Sequence, residues 1–261
     1  MRWSLLALCG GLLLAGGVLA AGITAPVRLA AVPGAAATGT AVADKAELGR
    51  SIREYLISNP EVLVEAMQEL ERKQETQRDE VARKGVQANE SELFRDPDSP
   101  VGGNPGGDVV VVEFNDYQCP YCKRAFQAMK SVLADDKNVK IIYKDLPILG
   151  EASRIAALAA LASIKQGKHS ALHNTLMEFS GKLDRDKILE LAASVGIDRA
   201  QLEKDMEDPK LKQIIDRNMA LASQLGVRGT PAFVVGKQFV PGAVDAATLK
   251  QLIADARKGQ G

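Results

Sequence analysis

Histidine, cysteine and aromatic side chains are scarce in this chain of 261 residues, and neither sign of charge predominates. His169 and His173 are the two histidines, and Cys9, Cys119 and Cys122 the three cysteines. A zinc site built on Cys119 and Cys122 would need two more ligands, and the histidines lie far off in sequence, so zinc is not expected. His169 and His173 are four apart, as metal ligands can be, but with no third ligand in view they read as core or surface histidines. Thirty-three basic residues balance thirty-three acidic ones. That argues against a nucleic-acid partner or an anionic-membrane surface. Aromatics make up 4 % of the chain, so its core must be largely aliphatic, and a hydrophobic content of 46 % is ample for one.

Against this background one stretch carries chemistry: Glu113-Phe114-Asn115-Asp116-Tyr117-Gln118-Cys119-Pro120-Tyr121-Cys122-Lys123. Val109 to Phe114 is a mostly β-branched run after Gly106-Gly107, as in a strand buried on both faces. Asn115 to Gln118 form a turn. Pro120 suits a first helical position, where its missing N–H would be unpaired in any residue. Cys119 therefore lies at the N-terminus of a helix running through Ala125, Phe126, Met129, Val132 and Leu133. The free amides and dipole there favour a thiolate. Cys122 is about one turn on, within bridging range. A bridge across so short a loop removes little unfolded-state entropy, so the pair reads as a redox site rather than a structural staple.

Upstream, the chain falls into segments. Residues 1–20 read as an export signal: Arg2, an apolar run from Leu5 to Ala20 that contains Cys9, and a small-residue cleavage site at Val18-Leu19-Ala20. The rival is an uncleaved helical anchor, since Trp3 to Val27 carries no charge. Export places the dithiol in an oxidising compartment. Residues 21–43 are a flexible tether. Residues 44–90 carry two helices: Asp44-Lys45-Ala46-Glu47 has capping-box spacing, Leu48, Ile52, Tyr55 and Leu56 share a face, and Asn59-Pro60-Glu61 starts a second helix striped by Val62, Leu63, Ala66, Met67 and Leu70. From Glu71 to Lys84 that helix is nearly all polar, a spacer with no face suited to packing on a core. Two such short helices cannot bury their stripes alone. Either copies of the chain associate, or the helices fold back on the body.

Residues 91–107 hold three prolines and four glycines and read as a linker. Residues 108–257 then run strand, helix, strand (Asn138 to Lys144), a block of helices over about 150–226, a hairpin of two strands around Gly236-Lys237, and a closing helix from Thr248 to Ala256. Gly196 and Gly226 suit helix C-caps. The fold class is α/β, a split sheet with an inserted helical domain.

Residues 108–257 resemble the DsbA family of exported thiol–disulfide oxidoreductases, which have a thioredoxin fold with a helical insertion. Val111-Val112-Glu113-Phe114, Cys119-Pro120-Tyr121-Cys122 and Gly229-Thr230-Pro231-Ala232-Phe233 carry the resemblance. Residues 44 to about 90 resemble the N-terminal oligomerisation helices of the ScsC type (suppressor of copper sensitivity), through Tyr55-Leu56-Ile57-Ser58-Asn59-Pro60-Glu61-Val62-Leu63. The resemblance implies catalytic roles for Cys119 as an exposed attacking thiol with a lowered pKa, Cys122 as the resolving thiol, Pro231 as a cis-proline beside them, and Glu113 as the buried acid beneath. Glu113 would move a proton to and from Cys122, or else be a structural ion-pair member, with Lys144 as its expected partner. Thr230, Pro120 and Tyr121 would contact substrate. The resemblance also implies no cofactor, cysteine-containing exported proteins as substrates, a membrane redox partner of the DsbD/ScsB or DsbB type, and a homo-oligomer, a trimer by analogy.

Two departures bear on direction. Tyr121 stands where strongly oxidising members carry histidine, so the thiolate loses a nearby cation. Thr230, as in isomerase-type relatives, stands where oxidases carry valine. Both favour isomerase or reductase over oxidase. Two other classes stay open: a Cu(I)-binding, copper-tolerance protein using Cys119 and Cys122 as soft ligands, and a chaperone-like binding module.

Overall fold

The computed structural model describes residues 45–259. The export signal or anchor, the tether and Asp44 lie outside the described residues. The chain divides into two units at Ser58. The described part of the first is α1 (Lys45–Ser58), which buries no residue and exposes Leu48, Ile52 and Tyr55.

The second unit opens with α2 (Glu61–Ala88). Leu63, Val64, Met67 and Leu70 on its first half are exposed. Its last turns differ from the expected spacer. Ala82, Gly85 and Val86 are buried, and Val86 joins the core below the sheet. Small residues at this i, i+3, i+4 spacing form a narrow seam that the surrounding charges hide from a hydropathy reading. The fit is close: a Cβ on Gly85 would stand 2.9 Å from the Gln224 carbonyl oxygen. The next segment is also not a plain linker. It contains α3 (Glu90–Phe94), whose Leu93 is fully buried, and β1 (Val101–Gly103). Gly102 lies against Tyr143, whose hydroxyl would be 2.6 Å from an added Cβ. The glycines that suggest a loop therefore permit a close-packed edge strand.

The sheet continues with β2 (Val109–Asn115), followed by α4 (Pro120–Asp135) and β3 (Val139–Asp145). Between β3 and the last hairpin come α5 (Glu151–Ala162), a 3₁₀ turn over 163–166, α6 (His169–Glu178), α7 (Arg185–Ser194), α8 (Arg199–Asp205) and α9 (Pro209–Gln224). Asp184, Asp198 and Asp208 cap three of these helices through their carboxylates. Gly196 and Gly226 take positive φ at helix ends, as expected. β4 (Ala232–Val235), β5 (Gln238–Pro241) and α10 (Ala246–Lys258) close the chain.

The strand order is β1-β3-β2-β4-β5. β2 and β3 are parallel; the other pairings are antiparallel. This is the thioredoxin fold with an inserted helical domain. One sheet face, with Val109, Val111 and Ile141, packs on Ala125, Met129, Leu249 and Ile253 of α4 and α10. The opposite face, with Val112, Phe114 and Ile142, packs on Val86, Leu93, Leu221 and Leu225. A third cluster fills the helical insertion and reaches Cys119, Cys122 and Phe126. Alternation along the strands thus assigns every β2 and β3 side chain to one face or the other. Among the described residues, no helix is long and apolar enough to cross a membrane.

Candidate active site

The β2–α4 turn delivers both cysteines. Cys119 is the N-cap residue of α4, with extended backbone, and Pro120 takes the first helical position. Both thiols are free. Cys119 donates its Sγ–H to the carbonyl oxygen of Thr230 at 3.2 Å. The Thr230–Pro231 peptide is cis, as the resemblance implies. Cys119, Cys122, Thr230 and Pro231 are therefore brought together by the helix start and by the loop entering β4. Pro120 and Tyr121 sit on the outer rim, Tyr121 being 54 % exposed with its ring under the Arg124 guanidinium at 5.0 Å.

Cys119 is not the open thiol expected: 4 % of its surface is exposed. The Thr230 carbonyl and the flanking turn cover it. Cys122 is fully buried. Burial pushes its thiol well up from the ordinary range, and the nearby Glu113 and Cys119 add to this; the Asp116 amide, 3.5 Å from its Sγ, opposes the shift only in part. The two sulfurs thus differ in their surroundings: Cys119 caps the helix start against the Thr230 carbonyl, and Cys122 lies fully buried against the Asp116 amide.

Below them lies a polar layer within an otherwise apolar interior. Glu113 is buried and its Oε1 has no hydrogen-bond partner. Its pKa is raised from 4.5 to about 8, first by desolvation and then by the charge of Asp145. The expected partner, Lys144, is elsewhere. Lys144 pairs with Phe114 in the β2–β3 register and so shares that residue's face, opposite Glu113. It makes a buried ion pair with Asp96 at 2.7 Å, tying the α3–β1 connection to the sheet.

Asp116 and Tyr117, for which the sequence reading gave no role, complete the layer together with His173 and His169. Asp116 holds the turn: its Oδ1 accepts from the Gln118 amide at 2.8 Å, and its Oδ2 from the Ile148 and Leu149 amides at 2.9 and 3.0 Å. That bond set places the exposed Ile148 and Leu149 beside the cysteine turn. Tyr117 is bonded through its hydroxyl to His173 Nδ1 at 3.0 Å. The His173 ring lies 4.2 Å from that of Tyr143 and 5.7 Å from that of His169. Burial holds both histidines neutral, His169 at about 4 and His173 at about 3. They are core histidines, and among the described residues no group of three or more His, Cys, Asp or Glu is placed to hold a metal ion. The signal for Asp116 was its place two residues before an amide in the turn, an Asx arrangement.

Two family models match the chain. The DSBA-like thioredoxin domain matches residues 110–254. The N-terminal domain of the copper resistance protein ScsC matches residues 44–77. Among solved structures, a thioredoxin-like oxidoreductase from Silicibacter pomeroyi DSS-3 is 49 % identical, with a TM-score of 0.64 over 65 % of this chain and 98 % of its own. The catalytic domain of Proteus mirabilis ScsC is 31 % identical, with a TM-score of 0.62 over 67 % of this chain and 98 % of its own. Curated relatives include a Bordetella parapertussis thiol:disulfide interchange protein DsbA, 25 % identical over 66 % of this chain and 88 % of the relative. The first of the curated matches is a Na(+)/H(+) antiporter NhaA from Salinispora arenicola, 29 % identical over 63 % of this chain; the chain spans 26 % of its length.

The raised acid has a consequence for stability. Between the unfolded carboxyl value of about 4.5 and the folded value of about 8, the folded chain holds a proton that the unfolded chain has lost. Stability from this group is therefore complete below pH 4.5 and lost as pH rises to 8. Glu113→Gln removes that loss, a gain on the order of 5 kcal/mol at most. Urea midpoints at pH 5 and pH 8 check it: the variant should gain on wild type much more at pH 8, and an equal gain at both would contradict the buried-acid reading.

Proposed function

The chain belongs to the DSBA-like thioredoxin domain family, in its ScsC-type branch, and on that premise we propose that it is an exported, periplasmic thiol–disulfide oxidoreductase acting on protein thiols and disulfides. The observation that carries this reading is the unequal pair: Cys119 capping α4 against the Thr230 carbonyl, and Cys122 sealed behind it.

Cys119 is the group that meets substrate. As a thiolate, favoured by the free amides and dipole of α4, it attacks a substrate disulfide and displaces one substrate sulfur. Cys122 then loses its proton and attacks Cys119 Sγ. The enzyme disulfide forms, and the second substrate sulfur leaves with the electron pair. The substrate is reduced and the cysteine pair oxidised; the reverse sequence oxidises a substrate dithiol. Glu113, beneath Cys122, takes and returns the proton. Pro120, Tyr121 and Thr230 form the rim for an extended peptide, with backbone groups of Thr230 available to pair with it. Tyr121 between the cysteines, in place of a cation, and Thr230 before Pro231 favour isomerase or reductase over oxidase. A membrane redox partner of the DsbD/ScsB type would then keep the pair reduced.

The apolar stripes support an oligomer. Leu48, Ile52 and Tyr55 on α1, and Leu63, Met67 and Leu70 on α2, stand about half exposed or more. A homotrimer would bury them and gather several catalytic domains, raising the effective concentration for recapture of a misfolded substrate.

Two experiments test the reading. Cys119→Ser should abolish insulin reduction and Cys122→Ser should accumulate mixed disulfides; full activity in Cys119→Ser would end the assignment. Deleting residues 44–74, short of the docked end of α2, should leave a monomer that reduces insulin but has lost most isomerisation of scrambled ribonuclease. A monomeric full-length protein at tens of micromolar, or a truncated form that isomerises equally well, would contradict the link.

A further inference from the structure

The face beneath Cys122 holds a second carboxylate that the proposed chemistry has not used. Glu113 pairs with Tyr143, and Asn115 with Asp145, in the parallel β2–β3 register. Residues two apart on a strand share a face. Glu113, Asn115, Tyr143 and Asp145 therefore point together toward α4 and the helical insertion. Asp145 is 1 % exposed. Its Oδ1 accepts from Asn115 Nδ2 at 3.3 Å, and its backbone carbonyl accepts from Asn218 Nδ2 at 3.2 Å. Its Oδ2 has no hydrogen-bond partner, as Glu113 Oε1 has none. Two adjacent buried carboxyls, each with an orphaned oxygen and no cation between them, are costly unless they hold protons. The one nearby lysine of β3, Lys144, is committed to Asp96 on the other face.

We propose that Asp145 is a positioning residue for thiol exchange: with Glu113 it forms a two-carboxyl unit that takes the proton from Cys122 when this thiol attacks, and returns it when Cys122 leaves. The inference rests on the reading that Glu113 exchanges a proton with Cys122. In the resolving step the Cys122 S–H proton passes to an ionised carboxyl of the unit. The Cys122 thiolate attacks Cys119 Sγ, the Cys119–substrate bond breaks, and the electron pair departs on the substrate sulfur. In the reverse direction the substrate thiolate attacks Cys119 Sγ, Cys122 leaves as thiolate, and the unit hands its proton back. No other oxidant or reductant is involved. The unit gains one proton in the resolving step and gives it up in the reverse step.

Asp145 acts on this cycle through Glu113. Its own acid is raised to about 7, chiefly by burial, and its negative charge raises Glu113 further. The other titratable groups facing the pair are Cys122 from α4, Asp116 and Tyr117 from the turn, and Tyr143 from β3. His173 of α6 faces it through Tyr117. Burial keeps both tyrosines protonated and His173 neutral. Asp116 spends its carboxylate on three backbone amides. The carboxyl pair is thus the proton acceptor of the layer.

The test follows resolution of the Cys119–glutathione mixed disulfide in the full chain, by acid quench and mass spectrometry, from pH 5 to 9. Wild type should show a rate that rises as the unit ionises. Asp145→Asn keeps the shape and the bond to Asn115 but removes the charge. Its rate profile should move about one unit to lower pH, making resolution at pH 6 about tenfold faster, while the plateau stays nearly unchanged. Glu113→Gln should lose the rise and resolve at least about tenfold more slowly. A slowed Glu113→Gln with an Asp145→Asn profile that overlays wild type overturns the role of Asp145 alone. An unchanged Glu113→Gln overturns the underlying proton-transfer reading and the unit with it. Infrared titration of the wild-type protein tests the unit without any variant: two buried protonated carboxyls should ionise in two steps, and a single step contradicts it.

Discussion

A carboxyl and a thiol are buried together without a counter-cation, and most of the site follows from that. Glu113 comes from a strand of valines and phenylalanine that ends in Asn115, and it lies below a cysteine with no solvent access. Desolvation then favours the neutral form of both groups. Cys122 keeps its proton, and Glu113 becomes an acid poised near neutrality instead of a permanent anion. Cys119, one turn away, caps the start of the same helix against the Thr230 carbonyl. A single helix start therefore places the two sulfurs of one motif in different surroundings.

The sheet register keeps that arrangement intact. On the face toward α4, Glu113 meets Tyr143 and Asp145; on the other face, Phe114 meets Lys144. Alternation keeps the lysine away from the acid. The lysine instead anchors the α3–β1 connection through Asp96, while Asp98 in the same connection accepts Arg217 and Lys210. An ion pair on one face thus secures the edge strand, and an uncompensated acid pair on the other is left free to titrate. Had the register slipped by one residue, these roles would be exchanged.

Much of this was legible in the residues. The valine run, Pro120 after Cys119, the glycines ending helices and the period-3.6 stripes each carry a local signal strong enough to place strand, turn and helix. The fold class and the cysteine site follow from them, and the motif around Thr230-Pro231 added the cis-proline. What escaped has a common physical cause: contacts made by small or polar residues. Ala82, Gly85 and Val86 dock the last turns of a helix whose second half is dominated by polar and charged residues. Gly102 and Gly103 build a strand where glycines suggest a loop. Asp145 was hidden for another reason. Its significance lies in which face it shares, which period-2 alternation along β3 encodes but which a search for the nearest opposite charge passes over. The closure of Cys119 under the Thr230 carbonyl depends on a residue 111 positions away, and no local pattern reports it.

The central claim is the inequality of the two sulfurs, and differential alkylation measures it directly. The reduced full-length protein is treated briefly with iodoacetamide between pH 5 and 8, and each cysteine is read out by peptide mass spectrometry. Cys119 should be modified first at every pH, with Cys122 protected until the protein is unfolded in denaturant. Equal modification of the two in the folded protein, or faster modification of Cys122, would contradict the account.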